Sequence, residues 1–247
     1  MSEALTSLDP HVVLVTGIAV LVGAVVQGAA GFGVSLVAVP VLTLLDPSLM
    51  PGALLVVGTL LPLFTLAREG AHIDWPKARL SLAGRLVGTA AGVWVISELS
   101  PRALTAGIGL LVLLGVALSL RDLTVPVTGR SLFGAGAMTG ITGTASSISG
   151  PVIGLVLQRM PGPTMRATLA VFFCAGAFMS LVGLAVGGQL TARQVACGLA
   201  LLPFLVVGYL LSNPLRRYLD QGWTRAAVLV VSTCSALVVL VKAALWS

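Results

Sequence analysis

Two glycine-rich stretches decide how this chain folds: Gly23-Ala-Val-Val-Gln-Gly-Ala-Ala-Gly-Phe-Gly-Val-Ser35 and Gly140-Ile-Thr-Gly-Thr-Ala-Ser-Ser-Ile-Ser-Gly-Pro151. Each sits inside an otherwise apolar segment. Glycine, serine and proline weaken a helix. In hydrocarbon an unpaired backbone group costs several kcal/mol, so a broken helix survives only inside protein or beside a polar cavity. Two such breaks at corresponding places in two halves point to a transporter's binding site.

The surrounding composition is that of a membrane protein. The chain is 57% hydrophobic and only 9% charged, with a mean hydropathy of +1.07. A soluble domain carries about 25% charged residues. The Met1–Pro10 leader is acidic (Glu3, Asp9) and lacks a basic region, so cleavage as a signal peptide is not expected. No nucleotide-binding loop is present. The net charge of +6 lies in the loops, where it sets orientation rather than binding nucleic acid. Cys174, Cys197 and Cys234 lie in separate apolar segments without CxxC spacing. They read as buried filler rather than a disulfide framework.

Ordinary spans are expected at 49–67, 78–97, 102–120, 164–187, 192–211 and 224–246, each near the ~20 residues that cross a bilayer. The broken segments, 11–45 and 131–158, differ. As one helix the first would be roughly 50 Å long, against a hydrocarbon core of about 30 Å. It either tilts strongly or enters and returns as a hairpin.

Charge counting separates these cases. If both broken segments return, one side holds Arg68, Lys77, Arg79, Arg121, Arg130, Arg159, Arg166, Arg216, Arg217 and Arg225. The other holds Arg102, Arg193 and Lys242, and Arg85 lies inside a span. If each broken segment crosses once, the division is seven against six. Cytoplasmic loops carry a clear Lys/Arg excess, so the hairpin arrangement is expected, with both chain ends outside the cytoplasm. The fold class is then all-α and polytopic: two inverted repeats, each a broken helical hairpin plus three transmembrane helices. The repeats are 1–122 and 123–247, in a single membrane domain. A shift of 112 residues places Gly28, Gly31 and Ser35 over Gly140, Gly143 and Ser147.

The second arm of each hairpin begins with N–H groups that lack intrahelical partners, a natural anion site. Gly31–Ser35 and Ser146–Gly150 would supply two such termini. The candidate substrate-binding residues are Gln27, Gly28, Gly31, Phe32, Gly33, Ser35, Arg85, Gly143, Thr144, Ser146, Ser147, Ser149 and Gly150. Thr142 would add a further hydroxyl. A packing role for the small residues is the competing reading. Arg85 is the only cation well inside an apolar span. Two readings stand for it: an anion ligand, or a side chain that snorkels to the interface. Gly84 and Gly88 flank it at helical spacing and would seat a hairpin tip. Asp46, Asp74, Glu98, His11 and His72 fall at span borders and read as interface residues. Phe172, Phe173 and Phe178 read as packing. No cofactor, metal site or catalytic residue is expected.

These motifs carry a resemblance. Gly23-x-x-x-Gln-Gly-x-x-Gly-Phe-Gly-x-Ser-Leu-x-x-x-Pro40 resembles the TauE/SafE sulfite exporter family of bacterial membrane proteins. So does Gly140-x-x-Gly-x-x-x-x-x-x-Gly-Pro151, followed by three more apolar spans. The resemblance implies movement of small sulfur-containing anions such as sulfite, sulfoacetate or related organosulfonates. It carries over Gly28, Gly31, Gly33, Gly143, Gly150 and Pro151. The leading expectation is a secondary transporter of a small anion in the bacterial inner membrane, working by alternating access. An anion channel of the same fold and a membrane-embedded enzyme are the alternatives. The expected partners are the anionic substrate, the lipid bilayer and a second copy of the chain in a homodimer, with no nucleic acid.

Overall fold

The computed structural model describes residues 8–30, 33–100, 103, 106–107, 110, 113–114, 117 and 125–219. All regular structure among them is helical. In chain order the helices are α1 (Pro10–Ala30), α2 (Val34–Leu45), α3 (Gly52–Glu69), α4 (Trp75–Glu98), α5 (Gly129–Ser146), α6 (Gly150–Leu157), α7 (Gly162–Val186), α8 (Ala192–Ala200) and α9 (Leu202–Leu219). Five stretches are long and apolar enough to cross a membrane: Pro10–Gly28, Gly52–His72, Trp75–Glu98, Gly162–Val186 and Ala192–Ser212. Four match the spans expected at 49–67, 78–97, 164–187 and 192–211. The expected span 102–120 lies mostly outside the described residues, and 224–246 wholly so. Leu86, Val87, Trp94, Phe178 and Val186 project outward and exposed, as lipid-facing side chains do.

Helix starts follow the local sequence. Asp74 caps α4 by accepting the Lys77 N–H at 3.1 Å. Thr128 with Ser131, and Thr191 with Gln194, form reciprocal capping pairs at α5 and α8. The Asp74 side chain also pairs with the Lys77 ammonium. That hydrogen bond is the main reason its carboxyl titrates below the usual range.

Helix directions follow from glycine contacts. A Cβ at Gly84 or Gly88 of α4 would overlap the carbonyl oxygens of Phe133 or Ala137 on α5. One at Gly136 would overlap the Ser81 carbonyl, and one at Gly140 would stand 2.7 Å from the Gly88 Cα. The contacting residues rise together along both helices, so α4 and α5 run parallel with their backbones touching. At the start of α4, the Asp74 N–H donates to Thr168 Oγ1 near the start of α7 at 3.0 Å. The α5–α6 pair therefore leaves one end of the bundle and returns to it. The same end holds a bidentate ion pair, in which Arg166 Nε and Nη2 donate to the two Glu69 carboxylate oxygens, each at 2.9 Å.

The α1–α2 pair belongs to the opposite end. Gly17 packs on Phe204, Gly208 on Leu21 and Ala24, and Gly28 on Ser212, so α1 runs parallel to α8–α9. After α2, Asp46 pairs with Arg193 at the start of α8 at 2.9 Å. Arg166 thus shares an end with Glu69 and Asp74, while Arg193 lies at the other.

The breaks are narrower than the sequence suggested. Gly23 and Gly28 stay inside α1, and Gly140 and Gly143 inside α5. The backbone bonds of a helix are satisfied internally, so a glycine in hydrocarbon need not open it. Here the missing side chains admit neighbouring helices. The first arms have 21 and 18 residues, and the second arms only 12 and 8. At 1.5 Å per residue the second arms span about 18 and 12 Å, too short to cross. Gly84 and Gly88 also differ from expectation: they seat the long arm α5 rather than a hairpin tip.

Replacing Gly88 with alanine drives a methyl group into a backbone carbonyl, and overpacking of this kind costs about 1–3 kcal/mol. Gly134, where an added Cβ would meet nothing within 4 Å, is the control. Gly88→Ala should lower the melting temperature in detergent while Gly134→Ala leaves it unchanged. Equal effects would contradict the close backbone contact.

Candidate functional site

The two interruptions meet at a cavity. It is a partly open pocket of about 480 Å³, counting the space continuous with the surroundings, and Gln27, Val34, Ser35, Ser147, Ser149 and Gly150 are among its walls. The α3 residues Leu54, Leu55 and Gly58 and the α7 residues Phe173 and Ala177 complete an apolar side. One wall thus offers backbone and hydroxyl groups, the other aliphatic and aromatic surface.

The break before α2 rests on Gly33, whose φ of 140° is open to glycine but strained for an L side chain. The Val34 N–H donates to Gln27 Oε1 at 3.1 Å. Gln27, expected as a donor to ligand, therefore uses its oxygen to cap α2, and the first N–H of that helix is already taken. The break before α6 rests on Ser147, left-handed at φ 60°. Its N–H donates to the Gly143 carbonyl at 2.9 Å and its hydroxyl to the Pro51 carbonyl at 2.9 Å. Ser149 caps α6 without a side-chain bond to the helix. The first N–H groups of α6 come from Gly150 and Val152, since Pro151 has none.

Arg85 stands behind Ser149. It lies ten residues into α4, about 15 Å along the helix, and is 1% exposed. The snorkelling reading is therefore excluded: the side chain turns inward. Nη1 donates to the Thr139 carbonyl and to Ser149 Oγ, both at 2.9 Å. Nη2 donates to Ser180 Oγ at 3.4 Å. The guanidinium carbon lies 5.5 Å from the Phe172 ring centroid. A Cβ at Gly143 would stand 2.7 Å from both Nη atoms, and one at Gly176 2.7 Å from Nε. These two glycines make the slot for the guanidinium. Among the described residues Nε has no hydrogen-bond partner, and neither has Thr89 Oγ1 one turn further along.

The groups around this cation hold it in place without cancelling its charge. Its hydrogen bonds contribute about 1.5–3 kcal/mol each, and a desolvated cation–π contact about 2. Removing an ion from water costs several kcal/mol even after relaxation. Neutral acceptors leave the charge itself uncompensated, and among the described residues no carboxylate pairs with Arg85.

The remaining candidates divide by position. Gly33 also lines the cavity. Thr144 bonds the Ser180 hydroxyl at 2.8 Å, and Ser146 donates to the Thr142 carbonyl at 2.7 Å; both hydroxyls thus face neighbouring helices or their own. Thr142 donates to the Ile148 carbonyl at 2.9 Å, bracing the break. Gly143 faces Arg85, and Gly28 faces Ser212 and Tyr209 of α9. Gly31 and Phe32 lie outside the described residues. Sequence reasoning missed Ser180, Thr139, Gly176 and the apolar wall. Only the Gly176–Ser180 spacing on one helix face hinted at them.

A buried charge held by neutral groups is a stability cost, so Arg85→Met should keep or raise the melting temperature in anion-free detergent. A fall of several degrees would instead make Arg85 a structural keystone.

No curated protein and no solved structure matches the chain. The family model described as Sulfite exporter TauE/SafE matches residues 15–239. With most of its length covered and its helices long and apolar enough to span a bilayer several times, the chain belongs to the TauE/SafE family of membrane transporters.

Proposed function

We propose that this chain is a secondary transporter of a small anion, of the sulfite or organosulfonate class, working by alternating access of two inverted halves, 1–122 and 123–247. The observation that carries the reading is the cavity between the two breaks, with the Arg85 guanidinium one hydroxyl behind its wall. An oxyanion head would lie against Ser149 and the Gly150 and Val152 N–H groups, drawing on the positive end of α6. Leu54, Leu55 and Phe173 would accommodate an organic tail. A cation is disfavoured by the same field.

Two ion pairs fit the role of gates. Glu69–Arg166 and Asp46–Arg193 lie at opposite ends, and each joins an acid of the first half to an arginine of the second. Opening toward either side would separate one pair and leave the other closed. The ten-to-three charge split supports an orientation with the Glu69–Arg166 end on the cytoplasmic side of a bacterial inner membrane and both termini outside. Membrane-impermeant thiol labelling of Ser2→Cys and Ser247→Cys, in a background with Cys174, Cys197 and Cys234 replaced by serine, checks this. Both should label from the periplasmic side, and labelling of both only from the cytoplasm would overturn the orientation.

Ligand-induced thermal shift tests the substrate reading, since ligand at 100 times Kd stabilises by about 2.7 kcal/mol. Sulfite, thiosulfate, sulfoacetate, taurine and carboxylate analogues form the panel. At least one anion should raise the melting temperature saturably. Arg85→Gln should weaken that binding about 10- to 100-fold, the worth of one or two charged hydrogen bonds. Gly150→Val should abolish binding while the protein still reaches the membrane. Saturable binding of an organic cation, with no response to any anion, would sink the assignment.

A further inference from the structure

We propose that this transporter is an obligatory anion exchanger, whose empty form reorients too slowly to support net flux. The proposal rests on the anion-transport reading above and adds how transport is driven.

The placement of the charges leads to it. The chain has eight acidic residues: Glu3, Asp9, Asp46, Glu69, Asp74, Glu98, Asp122 and Asp220. Asp46, Glu69, Asp74 and Glu98 lie at helix ends in the structure. Asp9 immediately precedes α1. By sequence Glu3 lies in the leader, and Asp122 and Asp220 lie in polar connections. Among the described residues none pairs with Arg85. The two histidines, His11 and His72, are likewise at segment borders, the latter in the turn Gly70–His72. The described interior therefore offers no carboxylate or imidazole to take up a proton in exchange for the substrate, and an arginine stays charged throughout.

An anion on Ser149 and α6 supplies the missing charge. With a monoanion such as hydrogensulfite or a simple sulfonate bound, the site and its cargo move as a neutral pair. Without it, closing the cavity beside Ser149 removes the water there and leaves the guanidinium with Thr139, Ser149, Ser180 and the Phe172 ring as its polar and aromatic neighbours among the described residues. A lone cation at the centre of a membrane is costly enough to depopulate that state on the order of a hundredfold. The carrier then returns only when another anion takes the place of the one released. Nothing is consumed: one anion leaves each side as another arrives.

Purified full-length protein in liposomes tests this. The vesicles carry radiolabelled sulfite at a pH where hydrogensulfite dominates or, in parallel, methanesulfonate, with the voltage clamped by potassium and valinomycin. Exit is followed into potassium polyglutamate, whose anion is too large to enter, and into the same medium containing the unlabelled anion. The unlabelled anion should speed exit at least about tenfold, a conservative part of the expected penalty. Equal exit into polyglutamate would overturn the exchange while leaving the transport reading intact, and so would full acceleration by an imposed proton gradient. No exit of either anion under any condition would overturn both. Ser180→Asp, with Thr89→Asp as a second variant, places a carboxylate beside the guanidinium and neutralises it from within. In whichever variant folds, the dependence on external anion should fall toward onefold. Full dependence in a well-folded variant would contradict the charge argument, because simple damage to the site slows both modes together.

Discussion

The Arg85 guanidinium is enclosed by neutral groups. A carbonyl and two hydroxyls accept from its Nη atoms, a phenyl ring lies at one face, and two glycines give it room. These groups orient the charge but cannot cancel it. Most of the architecture around the cavity follows from meeting that condition. The cation has to stay out of lipid, which demands continuous helices on every side. It also has to remain within reach of a polar surface, which demands that one of those helices be broken. The Ser147–Ser149 break is where both demands are satisfied: Ser149 faces the cavity and accepts from Arg85 at once.

The glycine faces of α4 and α5 make this placement precise enough to work. Gly84 and Gly88 let the α5 backbone lie directly on α4, and Gly136 and Gly140 do the same from the α5 side. With the two backbones touching, the carbonyl of Thr139 comes within hydrogen-bond range of the Arg85 side chain, and Gly143 opens the slot for it. Packing replaces the hydrophobic effect as the force between these helices, because lipid tails are as apolar as leucine side chains. Small residues are therefore both the adhesive and the spacer. The ion pairs are kept at the two ends, where water lowers the cost of charge, and there each bridges the two halves.

Much of this was legible in the sequence, for identifiable reasons. Composition alone gave the membrane class, and apolar run length located four spans, because the thickness of a bilayer acts on every residue of a span. The charge count favours returning over crossing segments, because a loop's side of the membrane acts on its Lys and Arg content. Arg85 stood out because an isolated interior cation violates the composition around it. Tertiary choices were not legible. Glycine permits both a break and a close helix contact, and only the neighbour decides; Gly140 and Gly143 turned out to serve contact, and Ser147–Ser149 the break. Rotamer direction is equally nonlocal, so the inward turn of Arg85 was undetermined. The same holds for Gln27, whose amide caps α2 instead of standing free in the cavity.

The most direct test of the central claim is to see the anion that completes the charge. Bromoethanesulfonate carries a sulfonate head and a heavy atom with a strong anomalous signal. Diffraction from crystals of the protein soaked with it should place the sulfonate between Ser149 and Gly150, with Arg85 turned to meet it and the bromine toward Leu54 and Phe173. A bound sulfonate elsewhere in the chain, or an unoccupied cavity at a concentration that saturates binding in solution, would contradict the account.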